Sequence, residues 1–247
     1  MLEEVIVVCV FLALGGILKG ATGMGTPVVA VPALAATFDV PFAIAILVVP
    51  NIATNGWQIF QHRTALGSVP FLKRFVIAGC IGALIGTLLL IELPGDVLSL
   101  WLAVIVVVYI GLRLVHPAWQ VTPQQALAAS PPIGLLSGIL QGATGISAPV
   151  SVTFLSAMQL PRPQFIISVS SLFIGFFAVQ APTLAISGIL TWERLLLSAL
   201  AVLPIGAAMP VGAWLARTLT PQTFDLLVLV FLASMAAKLI YDAGLFG

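Results

Sequence analysis

Charge is what this sequence has least of. Charged residues make up 7% of the 247, hydrophobic residues 61%, and the mean hydropathy is +1.21. A soluble domain carries about 25% charge, so this chain cannot cover itself with a hydrated surface and reads as an integral membrane protein. The net charge of +1 implies no polyanionic partner, and no basic stretch interleaved with aromatics marks a nucleic-acid surface. Cysteine is nearly missing too. Cys9 and Cys80 stand in separate apolar runs without C-x-x-C spacing or a histidine neighbour, so they are expected to be buried small hydrophobes rather than a redox pair or metal ligands. The phosphate-binding pattern G-x-x-x-x-G-K-S/T is absent, and with it any encoded ATP hydrolysis. G-x-S-x-G and H-E-x-x-H are absent as well, which argues against a hydrolase. No carboxylate falls in the middle of an apolar run, so the usual Asp/Glu proton relay is missing. An enzyme, a cofactor and a bound metal are not expected.

Against those absences stands one repeated feature. GATG occurs at Gly20–Gly23 and again at Gly142–Gly145, 122 residues apart, and each copy is followed four residues on by a proline, Pro27 or Pro149. Each lies between two short apolar segments. A glycine-broken segment at corresponding positions of two halves is the best sequence pointer to a transporter's binding site.

Six apolar runs are long enough to span a bilayer, at about 20 residues each: roughly 41–61, 73–92, 97–115, 164–187, 194–216 and 222–241. The remaining apolar material is the two GATG regions, about 5–37 and 128–160. The first breaks into a piece of about 15 residues, a Gly-rich turn, and a piece of about 11 ending near Asp39, and the second breaks the same way. His116–Ser130 is the only sizeable polar stretch and joins the halves. The chain therefore reads as one all-α membrane domain: repeat 1 at about 5–115, a linker at about 116–127, and repeat 2 at about 128–243. The amino terminus is acidic where a signal peptide is basic, so it reads as a retained membrane segment.

Two topologies are open. If each GATG region is one interrupted span, there are eight crossings and the halves are parallel. If each is a re-entrant hairpin followed by three crossings, the halves are inverted. The positive-inside rule does not choose. Eight spans put Arg63, Lys73, Arg74, Arg113, Arg194 and Lys238 opposite Arg162 and Arg217. Hairpins put Arg63, Lys73, Arg74, Arg113, Arg162 and Arg217 opposite Arg194 and Lys238. The acids, all but Asp225 opposite the basic side in the hairpin arrangement, and the shortness of the pieces favour inverted hairpins. The basic side is then cytoplasmic and both termini are outside.

Three groups of residues can carry chemistry. The first is the turns: Gly20, Thr22, Gly23, Gly25 and Thr26 in one half, and Gly142, Thr144, Gly145 and Ser147 in the other. Glycine lets a ligand approach the main chain, a helix restarting near proline offers free amides, and a helix N-terminus favours an anion. Threonine and serine add hydroxyl donors. The bland alternative is that the glycines only allow helices to pack closely. The second is Lys19, the one basic residue placed deep in the membrane, with Gln141 as its counterpart. It serves an anion or snorkels to a headgroup. The third is a stripe on the 41–61 segment, where Asn51, Asn55, Gln58 and His62 share one helix face; at the same register the second half has Phe173, Phe177, Gln180 and Leu184. Such a face meets a cavity or glues helices together. His62 reads as lying at the membrane edge, and Ser168, Ser170 and Ser171 are weaker candidates for the same wall. Gly79, Gly82, Gly86, Gly134 and Gly138 read as close-packing surfaces without chemistry.

The segments GGILKGATGMGTPVVAVPAL and GLLSGILQGATGISAPVSVTFL resemble the paired Gly-rich signatures of the sulfite exporter TauE/SafE family. The resemblance runs through nearly the whole chain: its length, its two repeats, and the signature at the start of each. The chain departs at Gly25-Thr26-Pro27 and Ser147-Ala148-Pro149, where many relatives have a run of three glycines. The resemblance implies a multi-pass inner-membrane transporter, often an exporter, for small sulfur-containing or organic anions such as sulfite, sulfonates or sulfoacetate. With the residues it gives alternating access around Lys19 and the two turns, with Asn51, Asn55, Gln58 and Gln180 as polar wall. A passive channel of aquaporin-like helix count is the competing expectation, and a homodimer through the glycine faces is compatible with both.

Overall fold

A computed structural model of the protein describes residues 2–22, 26–115, 120–218 and 221–242. Among them the chain is helical, without a strand. The order is α1 (Leu2–Thr22), α2 (Thr26–Ala35), α3 (Val40–His62) with a 3-10 turn after it (Arg63–Ser68), α4 (Leu72–Glu92), α5 (Gly95–Val115), α6 (Pro123–Thr144), α7 (Ala148–Ala157), α8 (Arg162–Ile186), α9 (Trp192–Leu200), α10 (Val202–Thr218) and α11 (Pro221–Asp242). Six stretches are long and apolar enough to cross a membrane: Val40–Ser68, Leu72–Glu92, Gly95–Val115, Pro123–Thr144, Arg162–Ile186 and Trp192–Thr218. Five of them match apolar runs read from the sequence; the remaining run, 222–241, lies in α11.

The helix bounds repeat. Thr22 and Thr144, Thr26 and Ala148, Ala35 and Ala157, and Val40 and Arg162 mark equivalent starts and ends, and each pair is 122 positions apart. The first piece of each broken region is longer than expected, at 21 and 22 residues in α1 and α6 rather than about 15. For α6 the cause is visible in the polar stretch before it. Thr122 Oγ1 accepts from Gln125 N–H at 3.3 Å while Gln125 Oε1 accepts from Thr122 N–H at 2.9 Å. This capping box, with Pro123 in the first turn, starts the helix several residues before the apolar pattern does.

Both broken regions fold back on themselves. A Cβ at Gly15 of α1 would stand 3.0 Å from Thr26 O and 3.2 Å from the Ala30 side chain, so α2 lies alongside α1 rather than beyond it. In the second half, Val121 N–H, just before α6, donates to Ala157 O at the end of α7 at 2.9 Å. One cavity likewise joins residues 121–127 with residues 158–164.

The most extensive packing crosses between halves: α6 lies on α4, and α1 lies on α10. Both contacts are made of backbone. A Cβ at Gly82 or Gly86 would strike the carbonyl oxygens of Leu135 or Ile139, and one at Gly138 would strike Gly79 O. These glycines are therefore close-packing surfaces, as small residues are between membrane helices. Gly20 and Gly142, expected in the site, have the same constraint: a Cβ there would strike Met209 O or Ala83 O. Helix packing alone already requires glycine at both.

The core sits around α2, which is buried along its whole length, and the facing parts of α3 and α8. Pro50 lies inside α3 and has no N–H to offer to Ile46 O. Ser198 of α9 fills the gap, its hydroxyl donating to Ile46 O and accepting from Val49 N–H, both at 2.9 Å. Cys80 is half-buried, with Sγ 3.3 Å from Gly175 O. Cys9, expected to be buried, instead faces outward, because the apolar outer surface of a membrane helix accepts a small hydrophobe as readily as the core does.

Candidate functional site

The facing ends of α1 and α2 and the turn between α6 and α7 open on one cavity. Thr22, Pro27 and Val28 reach it from the first half, and Ile146, Ser147 and Ala148 from the second; α5 contributes Tyr109 and Arg113, and α8 contributes Phe173. Its volume is about 40 Å³, room for roughly two or three waters.

Local sequence sets each wall. Gly145 ends α6 in the left-handed region, at φ 74°, and its N–H closes on Gln141 O at 2.8 Å, a glycine helix end. Ser147 precedes α7 without capping it through its side chain. Pro149 has no N–H, and Val150 N–H turns back to Ser147 O at 3.1 Å, so Ala148 is the first-turn residue able to offer its amide outward. Ser151 Oγ donates to Ser147 O at 2.9 Å and to Ser147 Oγ at 3.2 Å, which leaves the Ser147 hydroxyl its own proton to donate. Thr22 and Thr144 differ from expectation. Their hydroxyls donate to Leu18 O and Leu140 O at 2.8 Å, so they present oxygens rather than protons. Thr26 is buried at the start of α2 with no partner for Oγ1. Gly23 and Gly25 lie outside the described residues.

The structure brings the charged candidate onto the polar stripe. Lys19 is 2% exposed, and its Nζ donates to Asn55 Oδ1 at 3.0 Å. Asn55 Nδ2 donates to Asn51 O, and Asn51 Nδ2 to Leu47 O, each at 2.8 Å, while Asn51 Oδ1 has no partner. Gln58 Oε1 accepts from Ser170 Oγ at 3.0 Å. On the other side, Gln180 Nε2 reaches Gly142 O at 3.2 Å and Gln141 O at 3.4 Å, and the side-chain oxygens of Gln141 and Gln180 are both buried and unpartnered. Two polar places therefore exist where one was expected. Lys19 joins α1 to α3 through Asn55, Gln58 joins α3 to α8 through Ser170, and Gln180 joins α8 to the end of α6. The Asn51 and Asn55 amide groups donate within α3, and none of Lys19, Asn51, Asn55, Gln58, Gln141 or Gln180 lines the cavity shared by the turns.

Tyr109 and Arg113 are functional candidates that the sequence reading missed. They stand one turn apart on α5, and Arg113 served there only as a marker of sidedness. A basic residue four positions after a tyrosine at the end of an apolar run was the available signal.

A chain whose described residues are helical, with six helices long and apolar enough to cross a membrane, is a multi-pass membrane protein. The model of the sulfite exporter TauE/SafE family matches residues 7–239, and the chain belongs to that family, which makes it an anion-transporter-type membrane protein. Comparison with curated proteins and with solved structures finds no match.

Proposed function

We propose that the protein is a secondary transporter that exports a small sulfur-containing or organic anion across the inner membrane by alternating access. The observation that carries this reading is the cavity on which both broken regions open, although their sequences are 122 residues apart. There the Ser147 hydroxyl, the first-turn amide of α7 and its positive helix end favour an anion. The turns at Gly20–Thr26 and Gly142–Ser147 hold the anionic group. Lys19 adds a buried positive charge behind the first turn. The Lys19–Asn55 and Gln180–Gly142 contacts, with Asn51 and Gln141 beside them, are the polar faces along which α1 and α6 move against α3 and α8, while Gln58 ties α3 to α8.

The domain is one unit of two inverted repeats, about 5–115 and 128–243. Each is a hairpin, α1–α2 or α6–α7, followed by crossings, with α9 and α10 together making one. The Val121–Ala157 hydrogen bond supports the hairpin, because an interrupted span would hold those residues at opposite faces. The basic loops are cytoplasmic. Efflux of a monovalent anion from a negative interior gains about 2.3 kcal/mol per 100 mV, so export runs without a carboxylate relay.

Flux in proteoliposomes tests the reading. Saturable uptake of labelled sulfite or a sulfonate, accelerated by unlabelled anion inside, is the expected result. Non-saturating flux without counterflow means a channel and removes the carrier.

A further inference from the structure

Resting on that reading of the same cavity, we infer that Arg113 is the cation that recognises the transported anion, with the Tyr109 phenol beside it, and that the cavity loads from the Arg113 end. Three observations carry this. First, Arg113 and Tyr109 line the cavity between the turns, whereas Lys19, the deep cation, is turned to Asn55 and does not. Second, Arg113 is in the last turn of α5, which alternating crossings of α3, α4 and α5 put on the same side as Arg63, Lys73 and Arg74. Third, the positions 122 residues further on are Phe231 and Met235. The second half thus has no copy of this pair, and the positive charge on α5 marks one end only.

A guanidinium presents a planar fork of N–H donors that matches two oxygens of a sulfite, sulfonate or carboxylate group. Tyr109, one turn earlier on α5, and Ser147, just before α7, place hydroxyls on the same cavity. An anion arriving from the cytoplasmic face meets Arg113 before it reaches the turns, where attraction raises its local concentration. The remaining wall is mostly apolar, from Leu18, Val28, Val152, Phe173 and Val228, so few polar groups besides these can hold an anion there.

The experiment is [35S]sulfite counterflow in proteoliposomes with wild-type protein and the variants R113Q, R113K, Y109F and K19Q. R113Q is expected to raise KM at least tenfold, R113K to recover only part of that shift because it keeps the charge but not the fork, and Y109F to raise KM about threefold. K19Q should lower the maximal rate with KM within threefold of wild type. Should R113Q not assemble, R113K and Y109F must each still raise KM at least twofold. A KM unchanged in R113Q, or in both R113K and Y109F, overturns the assignment while leaving the transporter standing. Wild-type protein that moves no anion overturns both.

Discussion

Replacing Asn55 with leucine removes the acceptor to which Lys19 Nζ donates at 3.0 Å. Both residues are buried, so the variant leaves an ammonium in a low-dielectric interior with nothing to bond. Removing one partner of a buried charge costs about 3–5 kcal/mol, which in a chain of this size lowers Tm by roughly 2–4 °C per kcal/mol. The second perturbation, Lys19→Met, works the other way. Taking a lysine out of a membrane interior gains about 3 kcal/mol, and leaving Asn55 Oδ1 unpaired costs about 1–3 kcal/mol. The single variant should therefore be neutral or slightly more stable, and the double variant K19M/N55L should recover the loss of N55L. Equilibrium unfolding of all four proteins in bicelles gives the coupling by a double-mutant cycle. A coupling of at least about 2 kcal/mol is expected. An ordinary interhelical hydrogen bond in a membrane is worth about 0.6 kcal/mol, so a coupling near that value refutes the picture of Lys19 as a buried charge held by one amide. Retention of function completes the argument: if Lys19 is kept for transport, K19M is stable but slow.

Other expectations follow from particular contacts. Ser198→Ala takes the hydroxyl away from Ile46 O, which Pro50 cannot serve, and should cost about 1–3 kcal/mol, the cost of an unmade buried hydrogen bond; thermal unfolding in detergent reads it. Gly82→Ala drives a methyl group into Leu135 O and should disrupt the α4–α6 contact, whereas Gly111→Ala meets nothing within 4 Å and should stabilise α5 by up to about 1 kcal/mol. In a background without Cys9 and Cys80, cysteines at Gln124 and Gln159 should react with an impermeant thiol reagent from the same side of the membrane. A cysteine at Thr37 should react from the other side, and labelling of positions 124 and 159 from opposite sides refutes the hairpin.

Much of the fold was legible because hydropathy and glycine act locally. The runs at 41–61, 73–92 and 97–115 became α3, α4 and α5 within a few residues, and the 122-residue register recurs in the helix ends. The longer first piece of the second broken region was missed because Thr122 and Gln125 extend α6 by capping, which apolar periodicity does not register. For the candidate site, Lys19 and the Asn51–Gln58 stripe were legible as polar groups in an apolar chain, but that Lys19 donates to Asn55 was not, because it depends on how α1 meets α3. The double duty of Gly20 and Gly142 did not, since a glycine needed for a turn and one needed for helix contact look alike. Arg113 was hidden for a different reason: whether a helix-end arginine meets solvent or a cavity depends on which helices pack around it, here α5 against α11.

Counterflow is the most direct measurement of the central claim. Liposomes holding purified protein and unlabelled sulfite should accumulate [35S]sulfite transiently above equilibrium, saturably, and Ser147→Ala should weaken the apparent affinity. Label that never exceeds equilibrium and rises linearly with concentration contradicts a carrier built around the two turns.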